Sequence, residues 1–228
     1  MNDLINIIID TWRFFRANVW GIWKVLFPII VPISLLIAIL SEYTQTGGGV
    51  SWILFGVMIL LYPIIQGAEI FYISSIITGD TNPRNVYYRL ALKFWVPLFG
   101  LYVISSLAVF IGLILLIIPG FIVLARLMFS QFYCLLQEKS SIEAFNSSWV
   151  QTKDYQWLLL FGMIFLAVVS SIPVWLLQKG VVFLGIESVI FVFIFNLIEF
   201  ILGTIITIFG FRVFSLHIGQ VNGHSQQG

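Results

Sequence analysis

Residues 94–125 read FWVPLFGLYVISSLAVFIGLILLIIPGFIVLA, 32 residues without an Asp, Glu, Lys or Arg. A helix needs about 20 apolar residues to cross the hydrocarbon core of a bilayer, so this stretch is too long for one crossing. Ile118-Pro119-Gly120 supplies the break, because proline cannot continue a helix and glycine tolerates the turn. The prediction is a hairpin, with span three over about 94–117 and span four over about 121–137.

The flanking sequence extends the pattern. Between Lys24 and Glu42 lie 17 uncharged residues, read as span one, with Pro28 and Pro32 near its start. Residues 52–78 make span two, interrupted only by Glu69, and spans five and six fall near 156–177 and 188–213. The chain of 228 residues is 60% hydrophobic and 9% charged, with mean hydropathy +1.05. A soluble domain carries about 25% charged residues and could not cover its surface with so few. The expected class is therefore all-α, a polytopic membrane protein with six transmembrane helices. The first 20 residues hold Asp3, Asp10, Arg13 and Arg16. That is no basic region followed by an apolar core, so no cleavable signal peptide is expected and span one stays as an anchor. A net charge of +1 gives no general attraction to nucleic acid.

The basic residues set the orientation. Arg13, Arg16, Lys24, Arg84, Arg89, Lys93, Lys139, Lys153 and Arg212 fall on the N-terminal side of this topology, and Lys179 alone on the other. Positive-inside bias makes the N-terminal side cytoplasmic, with both termini inside. Trp20, Trp23, Trp52, Trp95, Trp157 and Trp175 lie near predicted span ends, where amphipathic rings prefer to sit.

A short amphipathic segment precedes each outward span. In residues 3–20, Ile5, Ile8, Trp12, Phe15 and Val19 form an apolar stripe opposite Asn6, Asp10, Arg13 and Arg16, the pattern of a helix lying in the membrane plane. Asn82 is the expected cap of a second such helix, with Pro83 first and Arg84, Arg89 and Lys93 along it. Ser140 and Glu143 form a capping box for a third, with Ile142, Phe145 and Trp149 on its apolar face. Aromatic pairs eight residues apart (Trp12 and Trp20, Tyr87 and Trp95, Trp149 and Trp157) join these segments to the spans that follow. We read a threefold repeat of interfacial helix plus transmembrane hairpin, over about 3–79, 80–138 and 139–215. All lie within one transmembrane domain, 1–220, followed by a polar tail, 221–228. Arg13, Arg16, Arg84, Arg89, Lys93 and Lys153 are its interfacial basic residues, each contributing about 1 kcal/mol of attraction near an anionic leaflet.

Three charges fall inside spans. Arg126 and Glu199 are expected at similar depth near the bilayer centre, and Glu69 nearer the cytoplasmic end of span two. A charge there costs roughly 3 kcal/mol on insertion scales, so each should face the interior and be paired. Asn196, one turn before Glu199, can share its hydrogen bonds. Glu69, Arg126, Asn196 and Glu199 are thus a candidate polar cluster, in which Arg126 pairs with Glu199 or Glu69 either to fix packing or to bind a solute, proton or headgroup. Gly100, Gly112, Gly203 and Gly210 are read as close-packing positions, and Gly47-Gly48-Gly49 as a turn outside the membrane. The single Cys134 and the two histidines, His217 and His224, make no ligand set, with His224 in a disordered tail. No nucleophile–base–orienter set appears, so neither an enzyme, a metal nor a cofactor is expected.

Residues 118–157, IPGFIVLARLMFSQFYCLLQEKSSIEAFNSSWVQTKDYQW, combine a proline-glycine turn, a span, a charged junction and a helix with a Ser-Ser-Trp and Thr-Lys pattern. This segment resembles the YciC-like uncharacterised bacterial inner-membrane proteins, and is similar to the membrane domain fused to some glycerophosphodiester phosphodiesterases. Asn196-Leu197-Ile198 to Phe211-Arg212 fits the first family too. The resemblance implies six helices in a bacterial inner membrane and, through the phosphodiesterases, an association with lipid. It supplies no catalytic residues. The expected function is a non-enzymatic membrane protein that binds lipid or a protein partner; the alternative is a small-solute or proton-coupled transporter or channel using the polar cluster.

Overall fold

The computed structural model describes residues 2–44, 49–184 and 188–225, and among them every regular element is helical. The helices are α1 (Asn2–Thr44), α2 (Gly49–Thr78), α3 (Arg84–Lys93), α4 (Trp95–Leu115), α5 (Ile117–Arg126), α6 (Ser130–Leu136), α7 (Ser141–Gln151), α8 (Gln156–Phe183) and α9 (Val189–Ser225). Six stretches are long and apolar enough to cross a membrane: Leu4–Leu40, Phe55–Thr78, Trp95–Leu115, Ile117–Leu136, Gln156–Phe183 and Val189–Gly219. The chain has the make-up of a multi-pass membrane protein.

Several boundaries differ from the sequence reading. The segment 3–20 and span one are a single helix, because no proline or glycine interrupts the chain before Gly21. Pro28 and Pro32 lie inside that helix. The hairpin turns at Leu116, whose backbone is extended (φ −163°, ψ 147°), and not at Pro119-Gly120. Pro119 sits in the first turn of α5, where its missing N–H is no loss. Span four is broken between Arg126 and Ser130, so α5 and α6 are separate helices. Asn82 does not cap α3, which starts at Arg84; its side-chain amide donates to the Asp80 carbonyl instead, at 3.2 Å. The Ser140–Glu143 capping box is present as drawn. The stretch 221–225 continues α9, while 226–228 and two residues of the Gly47-Gly48-Gly49 turn lie outside the described residues.

The chain divides into two compact units. One comprises residues 1–17, 93–166 and 205–228, the other 18–92 and 167–204. In the first, α4 and α5–α6 run as an antiparallel hairpin. Lys93 pairs with Glu138 at 3.6 Å at its base, Tyr102 donates to Gln131 at 3.3 Å midway, and Gly112 meets Gly120 near the turn. A Cβ on Gly120 would stand 2.4 Å from Leu113 Cδ2, so glycine is what admits this close approach. Phe129, Phe132 and Tyr133 pack on Phe211 and Phe214 of α9 to make an aromatic core. Glu138 adopts a left-handed conformation (φ 52°), and the next N–H, of Lys139, closes α6 onto the Tyr133 carbonyl at 3.3 Å. In the second unit, Val25, Ala68, Tyr87 and Ala91 are buried together beneath Ile64, Phe71, Tyr72 and Tyr88. Gly21 leaves room for the Tyr72 ring, which meets Tyr87 edge-on at 5.4 Å.

Candidate functional site: a basic and aromatic groove

In the second unit, Trp23, Lys24, Val25 and Phe27 of α1 meet the first residue of α3, Arg84, around an open groove of about 370 Å³. Local chemistry explains why the groove forms here. Pro28 lacks the N–H that the Lys24 carbonyl would otherwise accept four residues on, so the α1 backbone has a gap in its ladder at this turn. The Tyr88 hydroxyl donates to the adjacent Val25 carbonyl and ties α3 to α1. Burial pushes the Tyr88 phenol above the usual tyrosine range, with the Arg84 charge pulling the other way, so it remains a donor. Tyr87, one residue before it, is almost fully buried; its hydroxyl bonds Ser75 Oγ at 2.9 Å and accepts the Asn82 N–H at 2.8 Å. These bonds fix the start of α3 and hence the position of Arg84.

The result is two exposed cations above an apolar wall. Lys24 and Arg84 are exposed, Trp23 and Val25 line the groove, and the Phe27 ring stands half exposed. Trp23 meets Phe27 edge-on at 5.3 Å, which holds the wall. A guanidinium offers a planar fork to phosphate oxygens and an ammonium adds a mobile point charge, while the rings accept hydrocarbon. Of the expected interfacial cations, only Arg84 joins this groove. Arg13 pairs with Asp10 at 3.7 Å, Lys93 with Glu138, and Arg16, Arg89 and Lys153 are exposed.

The four residues of the expected polar cluster are divided between the units: Arg126 belongs to the first, Glu69, Asn196 and Glu199 to the second. Arg126 ends α5 with its guanidinium 4.2 Å from the centroid of Trp149 on α7, and its Nε is buried without a hydrogen bond. Its carbonyl, left over where the helix breaks, accepts from Ser148 Oγ at 2.7 Å and Thr152 Oγ1 at 2.8 Å. Arg212 lies likewise over the Phe14 ring, at 5.2 Å. Glu199 accepts from Gln178 Nε2 at 3.0 Å across the α8–α9 hairpin. Glu69 is buried beside Gln66 on α2. Asn196 Nδ2 is buried and makes no hydrogen bond among the described residues. No cluster of three metal-ligating side chains occurs among the described residues.

Lys24 and Trp23 served the sequence reading only as topology markers. Their adjacency at the start of a proline-bearing span was the available signal; the meeting with Arg84 was not. In comparisons with known proteins, the chain matches no family model, no curated protein and no solved structure.

Proposed function

We propose that this chain is a non-enzymatic integral protein of a bacterial inner membrane, both termini cytoplasmic, that binds the phosphate headgroup of an anionic lipid. The observation that carries this reading is the convergence of Lys24 and Arg84 over Trp23 and Phe27. Cations for the headgroup and apolar rings for the upper acyl chain stand in one groove, at the point along α1 where the charged part of the helix ends at Lys24 and the uncharged run to Ser41 begins, a boundary of the kind found at the headgroups. Arg13, Arg16, Arg89 and Lys153 add a diffuse attraction to the same leaflet. Two cations near an anionic surface contribute about 2 kcal/mol together, roughly a 30-fold preference over a neutral headgroup.

The test is native mass spectrometry of the protein released from gentle detergent, with lipid identification, beside a Lys24→Ala/Arg84→Ala variant. Headgroup binding predicts a retained anionic lipid that the double variant loses. Equal retention by both proteins, or retention of neutral lipids alone, overturns it.

A further inference from the structure

The α4–α5 hairpin carries a second kind of lipid contact. Residues 107–125 contain no polar side chain, and the turn itself is Leu113-Ile114-Leu115-Leu116-Ile117-Ile118-Pro119. The segments joining the other two apolar hairpins are of opposite character: one contains Glu42, Thr44 and Gln45, the other Lys179, Glu187 and Ser188. A turn that emerges into water needs no such concentration of aliphatic side chains. Leu107, Phe110, Ile111, Ile114, Leu115, Leu116, Ile117 and Ile118 are all exposed. The finger is held by its own Gly112–Gly120 contact.

Its backbone is equally suited to a dry setting. The extended Leu116 donates its N–H to the Gly112 carbonyl at 3.1 Å and accepts the Gly120 N–H on its own carbonyl at 3.3 Å. Pro119 removes one of the N–H groups that begin a helix without a partner. Chain reversal inside hydrocarbon demands such internal satisfaction, because no water is present to supply it.

Depth follows from the other end of the finger. The Arg126 carbonyl accepts from Thr152, and the next two residues, Lys153 and Asp154, are exposed charges in the turn before α8. Those charges belong in water or among headgroups, which places Arg126 within a few ångströms of the polar boundary. From Arg126 to Leu116 is ten residues, about 15 Å at helical rise. The hydrocarbon core is about 30 Å thick. The finger therefore ends near the midplane.

We infer that the finger 107–125 is a re-entrant wedge, entering and leaving one leaflet from the Lys153 side, with the acyl chains of that leaflet as its partner. Four of the six apolar helices then cross the bilayer, and α4 with α5–α6 turns back. The flanks of the hairpin stay on one side either way, so the distribution of basic residues is unchanged. The lower half of the hairpin is the part dressed by α7, whose Ser141 donates to the Pro97 carbonyl at 2.6 Å and whose far end reaches Arg126. An insertion confined to one leaflet expands that leaflet alone, so the wedge favours membranes with loose packing on its own side. The inference rests on the chain lying in a membrane, as proposed above, and is independent of the headgroup groove.

The experiment uses the full chain with Cys134 replaced by Ala, reconstituted in vesicles, with single cysteines at Leu116, Lys153 and Lys179. Each is treated with a membrane-impermeant maleimide from either side, then spin-labelled for collision with oxygen and with a water-soluble nickel chelate. The wedge predicts that Lys153→Cys and Lys179→Cys react from opposite sides, while Leu116→Cys reacts from neither and its label meets oxygen far more than nickel. Reaction of Leu116→Cys from the Lys179 side overturns the wedge in favour of full crossing. A label at Leu116 shielded from both colliders also overturns it, since protein, such as a second copy, would then cover the tip. Ile114→Cys and Ile118→Cys repeat the reading should Leu116→Cys fail to fold. Loss of headgroup retention in the mass spectrometry experiment would leave these outcomes unaffected.

Discussion

Replacing Trp149 by Leu should destabilise the protein through Arg126. The guanidinium lies 4.2 Å from the indole centroid, and its buried Nε has no hydrogen bond. A cation on an aromatic face is worth about 0.5–1 kcal/mol at exposed sites and about 2 when desolvated. Arg126 and Trp149 are both half-buried, so about 1–2 kcal/mol is expected for the stack. In a chain of this size 1 kcal/mol moves Tm by roughly 2–4 °C, which gives a drop of about 2–8 °C in thermal unfolding followed in detergent. Loss of apolar contact from the smaller side chain adds to that drop, so the informative quantity is the coupling in a cycle of Trp149→Leu, Arg126→Met and the double variant. The stack predicts about 1–2 kcal/mol of coupling, with the double variant less destabilised than the sum. Additivity within about 0.5 kcal/mol would refute it. A parallel cycle of Arg126→Met with Glu199→Gln probes the ion pair expected from sequence. If the stack is the main hold on this charge, the Trp149 cycle gives the larger coupling.

Three further outcomes follow from local geometry. Tyr87→Phe removes the bonds of its hydroxyl to Ser75 Oγ and the Asn82 N–H; Ser75 keeps its bond to the Tyr72 carbonyl and Asn82 is exposed, so the loss should cost about 0.5–1.5 kcal/mol and lower Tm accordingly. Gly120→Ala forces a methyl to within 2.4 Å of Leu113, and overpacking of this kind costs about 1–3 kcal/mol, visible as faster proteolysis near the hairpin turn and a lower Tm. Hydrogen bonds from the Ser140 hydroxyl and backbone hold the Glu143 carboxyl below its usual range. A depressed pKa means the cap contributes above the ordinary carboxylate pKa and is lost as pH falls through the lowered value. Glu143→Gln should therefore lower Tm at neutral pH, with the gap to the native protein closing in acid; a gap that widens in acid would contradict the cap.

What the sequence revealed was governed by length, composition and near neighbours. Apolar runs close to or above the length of a bilayer crossing need no periodicity to be recognised, so all six apolar helices were legible. The Ser140–Glu143 box was legible because both partners lie within one turn. Pro119 misled because proline breaks helices in their interior yet is welcome in a first turn, and the chain turned three residues earlier, at Leu116. Asn82 misled because its side chain had a closer carbonyl at Asp80. For Arg126 the charge alone points to an acidic partner, though an arginine stacks on an indole as readily, and Trp149 stands in the adjoining amphipathic helix. The groove of Lys24 and Arg84 was out of reach, because it depends on how α3 returns to α1, which the Tyr88–Val25 and Tyr72–Gly21 contacts decide.

Headgroup recognition is tested most directly by photo-crosslinking in native membranes with an anionic phospholipid that carries a photoreactive headgroup, followed by peptide mapping. Binding in the groove predicts adducts on the Trp23–Phe27 segment and around Arg84, competed by unlabelled anionic lipid and lost in Lys24→Glu/Arg84→Glu. Adducts spread evenly over the exposed basic residues, or unchanged by the double variant, would contradict it.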